Sequence, residues 1–197
     1  MSKTILLIDG ENFLHKIEDV LKSESKAKGF ADSINLDFDK LFTNVLKGWS
    51  ISEKIFYGAK LHFNPETPKK SYELIKAQRK LINNLKNKSF KFVMAGHVRG
   101  QKIGKTVIFR EKGVDVKIAV DLVSFACDRK IKTAILCSSD SDLQPAIAEA
   151  KKRGIEVIYL GFEINPNKGL TFTTNRTILI RNSEIIDAII VHKRRKK

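Results

Sequence analysis

The stretch Thr4–Asn12, TILLIDGEN, decides the fold. It opens with an almost wholly apolar run, Thr4–Ile8, and then switches abruptly to an acid, a glycine and polar residues. A short apolar run that ends in such a turn signal is typical of a buried strand in a parallel sheet. A second run of this kind, Thr133–Cys137 (TAILC), is followed by Ser138–Asp142 (SSDSD). The two runs therefore predict two central strands that lie side by side in one sheet.

The rest of the chain alternates between strand and helix patterns. Helical spacing is found over Asn12–Leu21, Phe38–Leu46, Ser71–Leu85, Val116–Asp128 and Leu143–Arg153, and strand patterns over Glu53–Gly58, Phe90–Met94, Thr106–Phe109, Glu156–Leu160 and Thr177–Ile180. This alternation predicts an α/β fold with a mostly parallel sheet and helices on both faces. We expect one domain over residues 1–163, followed by a C-terminal extension over residues 164–197 with one candidate strand and a basic tail.

The chain is strongly basic, with 37 Lys and Arg against 22 Asp and Glu and a net charge of +15. Such an excess favours a polyanionic partner, because each neutralised phosphate releases condensed counterions. Removing the five cations of the tail Lys193–Lys197 still leaves +10 out of +15. Nucleic acid is therefore preferred over a membrane surface, or over a basic surface with no polyanionic partner. The sequence has no N-terminal signal segment and no apolar run long enough to span a bilayer, so we expect a cytoplasmic protein, for which a homodimer is one compatible assembly.

Aspartates follow both of the apolar strands. Asp9 comes directly after the first strand, and Asp140 and Asp142 come after the second. In open α/β sheets functional groups gather beyond the carboxyl ends of the strands, so these carboxylates are expected to lie close together. Clustered carboxylates raise one another's pKa, and a hard divalent cation such as Mg²⁺ or Mn²⁺ removes that cost. Taken singly, Asp9 could close a turn and Asp142 could cap a helix; together, in a basic protein, they favour a metal site.

Other residues are candidates for the same site. Asp115 is a further candidate ligand, with helix capping as the alternative. Asp121 lies about 120° further round the same predicted helix and is assigned a supporting or structural role. Asn12 could hydrogen-bond to a water or a phosphate, and Ser138 and Ser139 could orient the aspartates, the alternative being ordinary helix-start and turn residues.

Three motifs, in this order, resemble those of the NYN domain, a PIN-like nuclease family. Ile8–Asn12 (IDGEN) resembles the family's IDGxN motif, and Lys112–Asp115 (KGVD), followed by Asp121, resembles its KGVD…D motif. Ser138–Pro145 (SSDSDLQP) resembles its SGDSDF.P motif, with Ser139 in place of the usual Gly. That replacement matters if the turn needs a positive φ at this position. The resemblance runs from about residue 3 to residue 162 and points to the LabA-like bacterial and archaeal branch.

The resemblance implies a PIN-like three-layer α/β/α fold and a metal-dependent ribonuclease. By motif, the acidic site that binds Mg²⁺ or Mn²⁺ would be formed by Asp9, Asp115, Asp140 and Asp142, with Asn12 in support. One or two ions would then stabilise the charge on the scissile phosphate and help water to attack it. Two other functions stay open. One is a non-catalytic RNA-binding or scaffold module, and the other is a phosphohydrolase of small phosphorylated molecules, which has no need of a charge of +15.

The stretch His97–Lys117 is predicted to belong to the nucleic-acid surface, because it is basic and leads directly into the site residue Asp115. Its candidate RNA-binding cations are Arg99, Lys102, Lys105, Arg110, Lys112 and Lys117. Aromatic residues are scarce here, which predicts phosphate contacts with single-stranded RNA and little sequence preference. A solvated loop is the alternative interpretation.

Overall fold

The computed structural model describes residues 3–24, 35–103 and 106–189, except for the side chains of residues 99–111. In these residues one sheet is formed by the strands β1 (Thr4–Asp9), β2 (Ile51–Lys60), β3 (Phe90–Ile103), β4 (Thr106–Lys112), β5 (Thr133–Cys137), β6 (Glu156–Phe162) and β7 (Arg176–Ile180). The strands lie in the order β4-β3-β2-β1-β5-β6-β7, and all neighbours are parallel except β3 and β4. The prediction of a mostly parallel sheet is confirmed.

Helices cover both faces of this sheet. They are α1 (Gly10–Ser23), α2 (Phe38–Val45), α3 (Pro68–Asn87), α4 (Val114–Cys127), α5 (Gln144–Lys152), α6 (Lys168–Thr173) and α7 (Asn182–Ala188). Helices α1, α2, α3 and α7 pack on one face, and α4, α5 and α6 pack on the other. The three-layer α/β/α arrangement is therefore confirmed. Of the helices in the described ranges, none combines the length and the apolar character that crossing a membrane requires.

Strand β1 is buried on both faces, which explains why it is apolar throughout instead of alternating. Leu6 and Ile8 pack in the layer of α1 and α2, whereas Ile5 and Leu7 pack in the layer of α4 and α5. The strand pairs with β2 on one side and with β5 on the other, where Ile8 lies opposite Cys137. The two apolar runs are thus central neighbours, as predicted, and their carboxyl ends lie side by side.

The first turn of α1 is fixed by the buried ring of Phe13. Its centroid lies 5.6 to 6.4 Å from those of Phe38, Phe42, Phe56 and Phe162. Truncating a ring with this many partners typically costs roughly 3–5 kcal/mol. This packing therefore holds the residues just before Phe13 in place above the end of β1.

The basic stretch after Met94 differs from the predicted pattern. Strand β3 continues as far as Ile103, and it pairs antiparallel with β4, with His97 opposite Lys112 and Ile103 opposite Thr106. The backbone here is an edge hairpin, so the interpretation as a solvated loop is wrong for the described residues. The error comes from local composition. A stretch rich in glycine and cations is typical of a loop, and here its strand conformation depends on pairing with β4.

The chain beyond residue 163 joins the same sheet. Strand β7 pairs in parallel with β6, with Ile178 opposite Leu160, and it begins one residue before the predicted strand at Thr177. Ile185 and Ala188 of α7 are buried in the same core cluster as α1 and α2. The predicted boundary at residue 163 therefore falls between β6 and β7, which are paired neighbours in one sheet.

Candidate active site

The carboxyl end of β1 lies where the chain changes direction across the sheet. Strands β2, β3 and β4 follow on one side of β1, and β5, β6 and β7 follow on the other. In open α/β sheets the crevice at such a switch point is the usual place for a ligand. A cleft of about 500 Å³ opens here, walled by the end of β1, the first turns of α1 and α4, and the loop after β5.

Most of the predicted acidic site lies on this cleft. The cleft is lined by Asp9, Asp115 and Asp140, together with Asn12. Asp142 is not among the described residues of the wall. Its side chain is exposed, and its backbone N–H donates to Oδ1 of Asp140 at 2.9 Å. The structure therefore gathers three of the four candidate ligands and leaves the fourth in the adjacent turn.

Asp9 is a buried carboxylate at the base of the cleft. Its Oδ1 accepts a hydrogen bond from the N–H of Asn12 at 3.2 Å, and its Oδ2 accepts one from Oγ of Ser138 at 3.0 Å. Burial raises the pKa of Asp9 to about 6, because these two hydrogen bonds do not offset the lost solvation, and the charges of Asp140 and Glu11 raise it further. A cation in the cleft would favour the ionised form of the same group.

Two glycines allow the chain to bring these groups together. A Cβ at Gly10 would lie 2.3 Å from Cε1 of Phe56 and 2.4 Å from the carbonyl oxygen of Tyr57, so only glycine fits between β1 and α1. Gly113 has a left-handed φ of +92° and is the N-cap of α4. Because α4 begins right after it, Asp115 falls in the first turn of the helix and faces the cleft instead of capping the helix.

Ser138 connects the two aspartates that follow the central strands. Its hydroxyl donates to Asp9, and its Oγ accepts the backbone N–H of Asp140 at 3.1 Å. Asp140 in turn caps the short 3₁₀ turn Ser141–Leu143. This is an orienting contact of the kind that the sequence predicted for Ser138.

Ser139 is held through its backbone from two sides. Its N–H donates to Oδ1 of Asn12 at 3.0 Å, and its carbonyl accepts from Nδ2 of Asn167 at 2.9 Å. The non-glycine residues with positive φ in the described chain do not include Ser139, so the turn tolerates a serine in place of the family's glycine. Asn167 could not be recognised from the sequence, because it looks like an ordinary helix N-cap, which it also is.

Glu11 and His15 also line the cleft, although no sequence motif pointed to a role for them. They lie one turn apart on α1, with Nε2 of His15 3.6 Å from Oε1 of Glu11. The signal that could have found them is helical spacing, since residues 11, 12 and 15 of a helix that begins at the strand end share one side of it.

Asp121 and Lys117 contact each other away from the cleft. Oδ2 of Asp121 accepts a hydrogen bond from the buried hydroxyl of Tyr57 at 3.0 Å, and its Oδ1 forms an ion pair with Lys117. Neither of the two belongs to the described wall of the cleft. Asp121 therefore contacts a buried tyrosine and one of the predicted RNA-binding cations, and the roles of Asp121 and Lys117 stay predictions.

Of the cations predicted to bind RNA, Lys112 lies on the cleft wall. The side chains of Arg99, Lys102 and Arg110, and the whole of Lys105, lie outside the described part of the chain. The backbone of β3 and β4 leads to the cleft, because β4 ends at Lys112. The role of those four cations stays a prediction.

The donor chemistry of the cleft fits a hard divalent cation, since Asp9, Asp115 and Asp140 all offer carboxylate oxygens. Within the described residues, however, no three or more carboxylate, histidine or cysteine side chains are gathered tightly enough to hold an ion. Mg²⁺ commonly uses only one or two protein carboxylates, and waters and substrate phosphates complete its coordination. The cleft is therefore better suited to an ion that binds together with its substrate than to an ion that is coordinated by protein ligands alone.

The fold and the cleft define an α/β/α protein of the PIN-like kind. The family model described as NYN domain matches residues 3–180, so the chain belongs to the NYN domain family of the PIN-like nuclease superfamily. The match includes β7. The crystal structure of a protein of unknown function from Vibrio parahaemolyticus is similar, with a TM-score of 0.62 and 18% identity over 91% of this chain and 93% of that one. At that identity the likeness supports the fold alone. No curated protein matches the chain.

Proposed function

We propose that this protein is a metal-dependent ribonuclease that hydrolyses phosphodiester bonds of single-stranded RNA in the cleft beyond β1 and β5. The observation that carries the proposal is the meeting of Asp9, Asp115 and Asp140, from three separate segments, on one open cleft of a strongly basic protein. Carboxylates brought together in this way repel one another, and a cation with a bound phosphate relieves the repulsion. Membership of a nuclease superfamily supports the same chemistry.

The residues of the cleft suit distinct roles. Asp9, Asp115 and Asp140 would be the carboxylates from which Mg²⁺ or Mn²⁺ takes one or two ligands, and the ion would supply charge stabilisation for the phosphate and a water of lowered pKa. Oδ1 of Asn12 is engaged by the N–H of Ser139, so its amide NH₂ is the part left to donate to a phosphate oxygen. Lys112 adds a positive charge on the wall.

Asp142 suits a positioning role better than that of a ligand. Its backbone N–H holds Oδ1 of Asp140, while its own carboxylate lies exposed beside the cleft. Asp140 then keeps Oδ2 for a cation. The orientation of the Asp140 carboxylate is therefore set by the backbone of the turn and not by the carboxylate of Asp142.

A non-catalytic RNA-binding module is the second candidate. It is favoured by the absence, within the described residues, of a tight group of three potential metal ligands. In that case the aspartates would serve the hydrogen bonds of the turn, and the basic charge of the chain would supply the affinity for RNA.

The test is cleavage of a labelled single-stranded RNA by the purified chain with EDTA, with Mg²⁺ and with Mn²⁺. The proposal expects no cleavage in EDTA and recovery on addition of either ion, with a variant Asp140→Asn, purified in the same way, as the control for contaminating nucleases. RNA that is bound but never cleaved with either ion would establish the binding module instead. Cleavage that is indifferent to EDTA would remove the metal from the mechanism.

A further inference from the structure

Two aromatic side chains lie exposed and in contact near the N-terminal end of α3. Phe63 follows the end of β2, and Tyr72 is the fifth residue of α3. Their ring centroids are 5.7 Å apart and their planes are inclined by 75°, so the two rings form an edge-to-face pair. Phe63 is 49% exposed and Tyr72 is 71% exposed. Single exposed apolar side chains are common, but this aromatic pair is a continuous apolar surface that is open to water.

Hydrogen bonds fix the backbone that carries the aromatic pair. The loop residue Asn64 directly follows Phe63. Its N–H donates to Oγ of the buried Ser71 at 3.1 Å, and that hydroxyl donates to the carbonyl oxygen of Asn64 at 3.4 Å. Because Ser71 directly precedes Tyr72, these bonds connect the two segments that carry the rings. The pair is thus positioned by the fold itself, which lowers the cost of ordering it when a ligand binds.

The surface around the aromatic pair is basic. The stretch Lys60–Lys80 contains six Lys and Arg against two acids. Lys69 lies three residues before Tyr72 on α3 and Lys76 lies four residues after it, so both are neighbours of this ring on the helix surface. In the part of the chain that the structure describes, neither lysine belongs to an ion pair. Cations beside an open ring suit a ligand that carries both phosphates and flat bases.

The aromatic pair lies at the same edge of the sheet as the acidic cleft. Strands β1 and β2 are parallel, and Asp9 at the end of β1 lies opposite Tyr57 of β2. Phe63 comes six residues after Tyr57, so the two are separated by roughly 20 Å at most. A depression between the cleft and the pair has Glu11 in its wall on the cleft side and Leu61 on the side of the pair. An open surface therefore connects the cleft with the aromatic pair.

We propose that Phe63 and Tyr72 form a stacking platform for an unpaired base of single-stranded RNA, in the part of the strand that extends beyond the acidic cleft. The inference rests on the proposed ribonuclease function, and it adds a second place at which the enzyme holds its substrate. Every base has a flat face, so such a platform binds bases with little regard to sequence. The bases of a duplex are stacked on one another, so the platform favours single strands.

An anionic membrane is a less suitable ligand for this surface. Lysines attract anionic headgroups, but a helix that lies in a membrane interface needs an apolar face along its length. Among the large apolar side chains of α3, Tyr72 alone is strongly exposed, and the neighbouring surface positions are occupied by lysines. RNA, in contrast, matches the rings, the cations and the nearby cleft at the same time.

The direct test is the affinity of a labelled single-stranded RNA, measured by fluorescence anisotropy in EDTA. Tyr72→Ala is expected to weaken binding roughly tenfold, as the loss of one stacked base does. Tyr72→Trp keeps a ring and should retain the affinity, whereas Tyr72→Leu keeps apolar bulk without a ring and should lose as much as Tyr72→Ala. Unchanged affinity in both Tyr72→Ala and Phe63→Ala overturns the proposal. Full affinity in Tyr72→Leu overturns it as well, because stacking would not be involved.

Phe172 offers a matched control on the other side of the cleft. Its side chain is 86% exposed, and it belongs to α6, which follows β6 on the side of β1 opposite to β2. Phe172→Ala should leave RNA affinity unchanged, and thermal unfolding shows whether each variant is folded. A loss in Phe172→Ala as large as that in Tyr72→Ala would contradict the assigned place of the platform.

Salt dependence separates stacking from charge. Tyr72→Ala should lower the affinity at every salt concentration and leave the log–log slope unchanged, because a neutral ring releases no counterions. The double variant Lys69→Ala and Lys76→Ala should instead flatten the slope by roughly 1.4, at about 0.7 per contact. The same RNA annealed into a duplex should bind Tyr72→Ala and the unmodified chain equally. A duplex affinity that falls as far as the single-strand affinity overturns the stacking of an unpaired base.

Two further comparisons separate this proposal from a membrane role and from the nuclease. Phosphatidylserine vesicles that bind the unmodified chain but not Tyr72→Ala, with RNA affinity unchanged, would assign the pair to a membrane and overturn the platform. RNA binding that depends on Tyr72, in a chain that cleaves no RNA with Mg²⁺ or Mn²⁺, would support the platform and overturn the nuclease. Metal-dependent cleavage by a chain whose RNA affinity is indifferent to both rings would overturn the platform and leave the nuclease.

Discussion

The hydroxyl of Ser138 donates a hydrogen bond to Oδ2 of Asp9 at 3.0 Å, between the carboxyl ends of β5 and β1. Both residues are buried, with Ser138 3% and Asp9 7% exposed. They are 129 residues apart in the sequence and meet at the switch point of the sheet. Because the bond also orients the turn that carries Asp140, the two acidic motifs have a fixed relation to each other.

The free energy of unfolding in EDTA is expected to fall as the pH rises through about 6, because Asp9 must ionise in a buried place. The pKa of Asp9 is raised from 3.8 to about 6. Its contribution to stability is therefore full below the unfolded pKa near 4 and lost as the pH passes the folded pKa. The loss is about 3 kcal/mol at most, and the measurement is urea unfolding from pH 4 to pH 8.

Asp9→Asn is the control for this pH dependence. The variant has no ionisable group at this position and should lack the loss that the unmodified chain shows. Mg²⁺ should reduce the loss in the unmodified chain, since it favours the ionised carboxylate. If the two profiles run in parallel in EDTA, Asp9 is not the group responsible.

The variants Asp140→Asn and Asp142→Asn are expected to show which of the two carboxylates binds the metal ion. Asp140 lines the cleft, and losing its charge should reduce cleavage at least about a hundredfold, while stability holds or rises because a repulsion is removed. Asp142 contacts Asp140 only through its backbone N–H, which asparagine keeps, so its variant should lose much less. Single-turnover cleavage at saturating Mg²⁺ measures both. A larger loss in Asp142→Asn would return that carboxylate to the metal site.

Much of the fold could be predicted from the sequence because the two central strands are buried on both faces. Strands buried on both faces need unbroken apolar runs, and the runs at Thr4–Ile8 and Thr133–Cys137 are visible in the sequence. The extent of β3 could not be predicted, because its second half is defined by pairing with β4 and this glycine-containing, basic stretch has no strand pattern of its own. The parallel pairing of β7 with β6 is likewise a tertiary relation.

The part of the candidate site that directly follows the central strands could be predicted from the sequence. Asp9 and Asp140 follow adjacent strands, and the sequence places them together. Which acid of Asp140-Ser141-Asp142 faces the cleft depends on the 3₁₀ turn that Asp140 caps, and spacing does not reveal it. Asn167 reaches Ser139 across the end of the sheet, a contact that no local pattern announces.

Asp121→Ala is expected to lower stability and leave cleavage nearly unchanged. The hydroxyl of Tyr57 is buried and donates to Asp121, so the variant leaves it without this partner, at a cost of about 1–3 kcal/mol. Asp128→Ala, at the exposed end of the same helix, is the matched control and should change the free energy of unfolding little. Urea unfolding and the cleavage assay are run on both variants. Loss of cleavage in a folded Asp121→Ala protein would mean that this carboxylate takes part in the cleavage reaction.

The combined variant Arg99→Ala, Lys102→Ala and Lys105→Ala tests the hairpin as an RNA surface. Losing three phosphate contacts should flatten the log–log dependence of single-stranded RNA affinity on salt by roughly two, at about 0.7 per contact. The measurement is RNA binding across a salt series with EDTA present, so that cleavage does not interfere. A chain cut after residue 192 is the comparison, because an unchanged slope in the triple variant and a reduced one in the shortened chain would move the contacts to the tail.

Lys112→Ala and Lys117→Ala are expected to differ although both residues belong to the predicted basic surface. Lys112 lies on the wall of the acidic cleft, so its removal should weaken RNA binding and flatten the salt slope by about 0.7. Lys117 forms an ion pair with Asp121, and this carboxylate competes with a phosphate for the lysine. Lys117→Ala should therefore leave the slope within error of that of the unmodified chain. Fluorescence anisotropy of a labelled RNA over a range of salt concentrations gives both slopes. Equal losses in the two variants would mean that the ion pair with Asp121 does not keep Lys117 from contacting RNA.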